Sequence, residues 1–428
     1  MKPVKVGLLG LGTVGTGVVR IVEGHQEDLE RQIGSPLHIV KIAVKHADKQ
    51  RSVAVDRAKL TEDPREVIND PDIDIIVEVM GGVAQTKELV LEALRNGKQV
   101  VTANKDLMAL HGHEILALAA ERRCDVMFEA SVAGGIPILR TLVSGFSSDR
   151  IRKIMGIVNG TTNYILTKMS QEGSTYEDVL REAQALGYAE ADPTSDVEGL
   201  DAAYKMTILS NLGFRTNISM EDVYVRGISQ VTPEDIEYGR RLGYEIKLLG
   251  IAERTDDLIS ISVQPTFVRK SHPLASVSGV FNAVYVYGEA VGETMFYGPG
   301  AGELPTATSV VADVVAVAKN LKLGVSGRSG VLAYNEKKLK TDEQISYKNF
   351  ILLHVDDRAG VLARIAQVFA EHDVSIESVL QQPNDDQPFA ELIIITHHAA
   401  KANVNRVLGI LENLDIVKTV KSVYRVEG

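Results

Sequence analysis

The chain has 428 residues, more than one hydrophobic core usually supports, so two or three domains are expected. With 45% hydrophobic and 24% charged residues, the composition is that of an ordinary globular protein and excludes a disordered or fibrous one. A net charge of -11 without a long Lys/Arg run argues against nucleic acid, no apolar run approaches the roughly 20 residues of a membrane span, and the single cysteine, Cys124, excludes an intrachain disulfide or a thiolate zinc cluster. No export signal leads into Val4, so the cytoplasm is the expected compartment.

Residues 4–10 read as a short apolar strand ending in glycine, followed at once by an amphipathic helix over 13–32 that stops at Gly34-Ser35-Pro36. Strands over 37–44, 74–79, 99–103 and 125–129 then alternate with helices over 86–95 and 114–122, an order that implies a parallel sheet. After Pro137 the pattern changes to a strand over 151–158, a Gly-Thr-Thr-Asn turn, helices over 163–171, 175–184 and 199–211, and strands over 258–265 and 283–288. That stretch is expected to form an α+β domain on one open sheet. Residues 298–319 give a glycine turn and a helix of small residues, expected to return to the first domain. A polar linker over 326–347 leads to a βαββαβ order, with strands over 349–355, 374–380, 391–396 and 417–424 and helices over 360–372 and 399–414, which is a ferredoxin-like unit. The fold class is therefore α/β with a Rossmann-like dinucleotide-binding domain over 1–136 plus about 300–322. An α+β catalytic and dimerisation domain over 137–299, a linker over 323–346 and a ferredoxin-like domain over 347–428 complete it.

Gly10-Leu11-Gly12-Thr13-Val14-Gly15 follows a strand and opens a helix, the context that makes G-x-G-x-x-G a dinucleotide site. Gly10 permits the turn, Gly12 lets a pyrophosphate approach the backbone, Gly15 lets helix and strand pack, and the helix N-terminus, with Thr13 and Val14, offers free N–H groups to the anion. The second strand ends Ala43-Val44-Lys45-His46, with no acid for a ribose hydroxyl; Lys45 could pair with a 2′-phosphate, which leans to NADP, while its reading as a solvated surface charge keeps NAD open. Lys105, after Thr102-Ala103-Asn104, stands at the carboxyl edge of a parallel strand, where such sheets bind ligands. The densest polar cluster runs from Gly187 through Glu190, Asp192 and Asp196 to Asp201 and Lys205, and the last two sit at i and i+4 of one helix. Charge pattern alone also allows a surface ion pair there. Cys124 is a strand-start residue away from the crevice, and His25, His38, His397 and His398 lack metal-ligand company.

Five segments in one order, Thr102-Ala103-Asn104-Lys105, Asn159-Gly160-Thr161-Thr162-Asn163, Glu190-x-Asp192-Pro193, Gly199-Leu200-Asp201-x-x-x-Lys205 and Gly298-Pro299-Gly300-Ala301-Gly302, together resemble homoserine dehydrogenase of the monofunctional bacterial type. The resemblance covers essentially the whole chain and makes the last domain an ACT regulatory module, with Asp357-Arg358-Ala359-Gly360-Val361-Leu362 at its first strand-to-helix turn. It implies NAD(P)-dependent interconversion of L-homoserine and L-aspartate 4-semialdehyde in threonine, methionine and isoleucine biosynthesis, with Lys205 as acid/base. Glu190 and Asp201 would hold the amino-acid substrate, Lys105 would contact substrate and nicotinamide, and Gly187 and Gly302 would border the cofactor. A lysine in that role needs burial or a second cation to release its proton, and Lys105 is the candidate cation. Within Glu129-Ala130-Ser131-Val132-Ala133-Gly134-Gly135-Ile136 the family's structural sodium would lie on the carbonyls of Glu129, Val132, Gly134 and Ile136. Allosteric inhibition by threonine at paired ACT modules and a homodimer or homotetramer are also implied. Two other readings stand beside the enzyme: another NADP-linked amino-acid dehydrogenase, and a non-catalytic sensor of dinucleotide and amino acid, which would not need Lys205.

Overall fold

The computed structural model describes residues 2–327, 333–383 and 388–428. The chain forms two compact units, one of residues 1–158, 202–222 and 281–337, the other of residues 159–201, 223–280 and 338–428.

In the first unit a sheet is built from β1 (Val4–Leu9), β2 (Leu37–Ala43), β3 (Leu60–Thr61), β4 (Ile75–Glu78), β5 (Gln99–Thr102) and β6 (Val126–Met127). Their spatial order is β3-β2-β1-β4-β5-β6, all parallel, so the order reverses between β1 and β4. A doubly wound sheet opens a ligand crevice at that switch point. The β4 and β5 strands are buried throughout, which is why they read as Ile-Ile-Val and Val-Val runs without alternation. Val18, Val19 and Val22 of the first helix, Thr13–Gly24, pack on Val6, Leu8 and Val77 together with Val310, Val314 and Val317 of the helix Glu303–Leu323. The small-residue helix thus returns to the first domain. A Cβ at Gly17 would stand 2.6 Å from the Glu303 carbonyl oxygen and 2.8 Å from the Ala307 Cβ, so the first and returning helices touch backbone to backbone. The same unit holds the antiparallel strands Ile151–Ile157, Phe281–Gly288 and Gly292–Pro299.

Three local expectations shift. The helix expected over 13–32 is two helices, Thr13–Gly24 and Gln26–Ile33, because Gly24 is a poor helix former and His25 leaves helical geometry. The helix expected over 114–122 begins at Lys105, its start set by Asn104, whose side chain accepts from the Leu107 N–H at 3.0 Å. The Gly-Thr-Thr-Asn segment opens the helix Gly160–Glu172 instead of forming a turn before it.

The second unit carries a long hairpin, Tyr244–Thr255 against Leu258–Arg269, whose first strand the sequence conceals by placing Glu245, Lys247 and Glu253 in it. The C-terminal βαββαβ module arranges its strands antiparallel in the order Val417–Glu427, Ser346–Val355, Ala390–Thr396, Ile376–Pro383, and its helices Val361–Glu371 and Lys401–Leu411 contribute to the core with Ile351, Leu353, Leu392 and Ile394. Its edge strand continues the hairpin sheet: Thr266, Phe267 and Val268 pair in parallel with Arg425, Val426 and Glu427. Arg425 is buried and donates to Glu253 at 3.1 Å and to Glu427 at 2.7 Å. The Tyr424 hydroxyl donates to Asp235 at 2.9 Å, and Ser422 donates to the same carboxylate. The expected linker is pinned over residues 335–340. Residues 328–332 lie outside the described residues, but Asn335 donates to the Phe214 carbonyl at 2.8 Å, and Lys338 and Lys340 bracket Ile259 with backbone hydrogen bonds of 2.8 Å each.

Candidate active site

The glycine loop is shaped for a close anion. Gly10 adopts φ +103°, and a Cβ there would lie 2.7 Å from the Val79 carbonyl oxygen; at Gly15 it would lie 2.3 Å from the Gly10 carbonyl oxygen. At Gly12 a Cβ would meet nothing within 4 Å, so space is open above the first turn of the helix Thr13–Gly24. The N–H groups of a first helical turn have no acceptor within the helix, and here no side chain caps them, so the cradle fits a pyrophosphate. At the end of β4, the buried Glu78 accepts from the Met80 and Gly81 N–H groups at 2.8 and 3.3 Å and from the Thr102 hydroxyl at 2.5 Å. Burial pushes its carboxyl above the ordinary range. Asn104 donates to the Gly82 carbonyl at 2.6 Å, which ties the β4 and β5 ends together and leaves Lys105 as the first helical residue, its Nζ 3.7 Å from Asp106. Lys45 is exposed just past β2. Arg51 is committed to the loop backbone through the carbonyls of His46, Ala47 and Lys49 at 2.6, 3.0 and 2.7 Å.

The loop after β6 folds tightly on the glycine turn. A Cβ at Gly134, φ +49°, would lie 2.4 Å from the Gly300 carbonyl oxygen, and Gly302, φ +120°, precedes the helix Glu303–Leu323 as its N-cap. The Glu129 carboxylate is buried and accepts from the N–H groups of Leu139 and Arg140 at 2.7 and 2.8 Å. The carbonyls of Glu129, Gly134 and Ile136 accept hydrogen bonds from the Val132 N–H, the Ser309 hydroxyl and the Ile138 N–H. Sequence reasoning passed over Asp313, which accepts from the Glu129 N–H at 2.8 Å and from Arg140 at 2.5 Å; burial pushes its carboxyl up to about 7. The available signal was one acid among Val310, Val311, Val314 and Val315.

The strand Ile151–Ile157 runs on into Val158 and Asn159. Asn159 caps the helix Gly160–Glu172 by accepting from the Thr162 N–H at 2.8 Å, and its amide donates to Asp201 at 2.9 Å and to Asp196 at 2.7 Å. The carbonyl of the preceding residue, Val158, accepts from the Lys205 ammonium at 2.7 Å. Asp201 is buried and Lys205 half-buried, four residues apart on the helix Leu200–Phe214. Neither Asn159, inside the Asn-Gly-Thr-Thr-Asn motif, nor Asp196, inside the acidic cluster, stands out in the sequence as a site residue. Gly187 takes φ +75°, the next residue Tyr188 packs its ring 5.0 Å from that of Tyr164, and Gln184 donates to the Glu190 carbonyl at 3.1 Å. This fixes the backbone of the acidic loop and leaves the Glu190 side chain exposed. Asp192 accepts from the N–H and hydroxyl of Thr194 at 3.1 and 2.6 Å, and these bonds hold its carboxyl below the ordinary range. Cys124 is buried and its thiol pushed up by burial, unlike a nucleophile.

Three family models match the chain: "Homoserine dehydrogenase, NAD binding domain" over residues 10–129, "Homoserine dehydrogenase" over 137–315 and "ACT domain" over 350–415. The homoserine dehydrogenase of Bacillus subtilis is 58% identical, with 100% of this chain and 99% of that protein covered. A crystal structure of a homoserine dehydrogenase from Thiobacillus denitrificans is similar with a TM-score of 0.94 and 43% identity, covering 100% of this chain and 99% of its own. A hyperthermophilic archaeal homoserine dehydrogenase in complex with NADPH is similar with a TM-score of 0.64 and 29% identity, over 75% of this chain and 98% of its own.

Proposed function

The chain belongs to the homoserine dehydrogenase family, oxidoreductases with NAD-binding, catalytic and ACT domains, and from that premise we propose that Lys205 moves the proton and Asp201 and Glu190 hold the substrate. The reaction interconverts L-homoserine and L-aspartate 4-semialdehyde, and a bound nicotinamide dinucleotide carries the hydride. The chain's own groups do the rest. Lys205 gives a proton to the aldehyde oxygen as the carbon is reduced and takes one from the hydroxyl on oxidation. Asp201 and Glu190 pair with the substrate ammonium, and Asn159 steadies Asp201 by donating to it. Lys105 serves both the substrate and the nicotinamide end. The observation that carries this reading is the anchoring of Asp201 and Lys205 by the consecutive residues Asn159 and Val158.

For the cofactor, Gly10, Gly12 and Gly15 with the N–H groups of Thr13 and Val14 take the pyrophosphate, and Gly187 and Gly302 border the nicotinamide end. The exposed Lys45 favours NADP over NAD by pairing with the 2′-phosphate. A sodium ion on the carbonyls of Glu129, Val132, Gly134 and Ile136 would hold the loop after β6 and take no part in the chemistry. Threonine is the effector assigned to the ACT module, with pairing of chains into a homodimer or homotetramer and a cytoplasmic setting in amino-acid biosynthesis. Among the described residues no helix is long and apolar enough to cross a membrane.

The test is a panel of amino alcohols with NADP⁺ and with NAD⁺, followed by the ultraviolet absorbance of reduced nicotinamide. Homoserine should exceed serine and threonine in kcat/KM by roughly tenfold or more, and Lys45→Ala should lose the preference for NADP⁺. A different preferred alcohol would remove the substrate assignment, and an unchanged cofactor ratio in the variant would remove Lys45.

A further inference from the structure

One group of side chains in the second unit has no task in the reaction. Glu234, in the first turn of the helix Pro233–Arg241, His354 on the strand Ser346–Val355 and Glu391 on the strand Ala390–Thr396 each offer one ligand atom, and these atoms lie within 4.8 Å of one another. His354 and Glu391 are direct partners in the antiparallel ladder, which brings their Cβ atoms together on one face. Ile351, Leu353 and Val355 point into the core shared with the module's helices, so the strand's alternation sends His354 to the opposite face, the one on which Glu234 lies. Glu391 is only 7% exposed. The Nε2 atom of His354 is buried and has no hydrogen-bond partner among the described residues.

Two carboxyls that face each other, one of them buried, need a positive charge or a proton between them. A ring nitrogen without a partner beside them is a third donor atom. We propose that Glu234, His354 and Glu391 form a binding site for a divalent cation of the zinc class. One imidazole nitrogen and two carboxylate oxygens suit Zn²⁺ or Co²⁺, whereas Mg²⁺ and Ca²⁺ prefer oxygen alone. Ligands stand about 2.0–2.2 Å from zinc, so the three atoms close inward on binding, and Glu234, half-buried at a helix end, is the one with room to move. Occupancy would clamp the helix Pro233–Arg241 to two strands of the C-terminal module.

The experiment uses the full-length protein, stripped with a chelator and titrated calorimetrically with Zn²⁺ alone, with Co²⁺ followed by its visible absorption. The native chain should take up one cation per chain at this site and melt at a higher temperature with Zn²⁺ than without it. Glu391→Gln, His354→Asn and Glu234→Gln should each weaken uptake by about tenfold or more, with the circular dichroism spectrum and NADP⁺ binding retained. No saturable uptake by the native chain overturns the proposal, as does native-like uptake in a folded variant. Glu234→Gln, at a half-buried helix end, decides the matter if the two strand variants fail to fold.

Discussion

The glycines of the first loop separate binding from stability. Gly10 and Gly15 are required by the protein itself, since a methyl group at either would press on a carbonyl oxygen at 2.7 or 2.3 Å, and at Gly10 it would also meet a positive φ. Gly12 is required by nothing in the chain, because its added Cβ meets open space. Gly12→Ala should therefore keep the native melting temperature while NADP⁺ affinity falls by about tenfold or more, and Gly10→Ala should lose about 1–3 kcal/mol of stability as well as affinity. Calorimetric titration and thermal melting of both variants check this; equal stability losses would contradict it. The spacing of these glycines was legible because it recurs between a strand and a helix wherever a backbone cradles a pyrophosphate, although the partner that demands Gly10, the Val79 carbonyl, lies far along the chain. Asp313 was not, because its partners Glu129 and Arg140 come from the far side of the chain and only burial reveals them.

Single elements carry two further tests. Asn159 is both a cap and a clamp: its carbonyl oxygen holds the start of the helix Gly160–Glu172, and its amide nitrogen holds Asp201 and Asp196. Asn159→Ser keeps a capping oxygen and removes the amide donor, so stability should fall by less than about 1 kcal/mol. KM for homoserine should rise in the same variant. An unchanged KM would show that Asp201 needs no clamp. The strand Tyr244–Thr255 carries the buried Lys247, which donates to the Val277 carbonyl at 2.5 Å and which burial pushes down to about 8 from its ordinary 10.5. The unfolded chain then binds more protons than the folded one between those values, so stability rises with pH across that window and is lost again as pH falls through about 8. The difference corresponds to about 3 kcal/mol in full. Urea unfolding at pH values inside and below the window should show this rise in the native chain and not in Lys247→Met; parallel curves would contradict it. Lys247 also explains why that strand escaped detection, since a charged residue in an apolar run reads as a break. Helix starts slipped for a related reason: Asn104 and Asn159 act as caps through side-chain bonds that a periodicity count does not register.

Across the whole molecule, the order of strands and helices was legible in the first domain and in the βαββαβ module, while the helix Pro233–Arg241 and the strands Tyr244–Thr255 and Gly292–Pro299 were not. What the pattern could not convey was attachment. The C-terminal module shares a sheet with the hairpin through Thr266–Val268, the ring of Phe267 lies 4.7 Å from Phe350 and 5.6 Å from Tyr424, and Asp235 receives two of the module's hydroxyls. A chain truncated after Ser346 should therefore melt at a clearly lower temperature than the full chain, with the edge of the strand Leu258–Arg269 laid open. Equal melting temperatures would show the module to be a separate body, in keeping with the proposed boundary at 346/347. Threonine regulation is accordingly tested best by substitution within the module. The central claim, that Lys205 moves the proton, is tested most directly by comparing homoserine oxidation by NADP⁺ in the native chain and in Lys205→Ala. The account predicts that the variant folds, binds NADP⁺ as the native chain does and loses about 10²–10⁴-fold in kcat; turnover comparable to the native chain would contradict it.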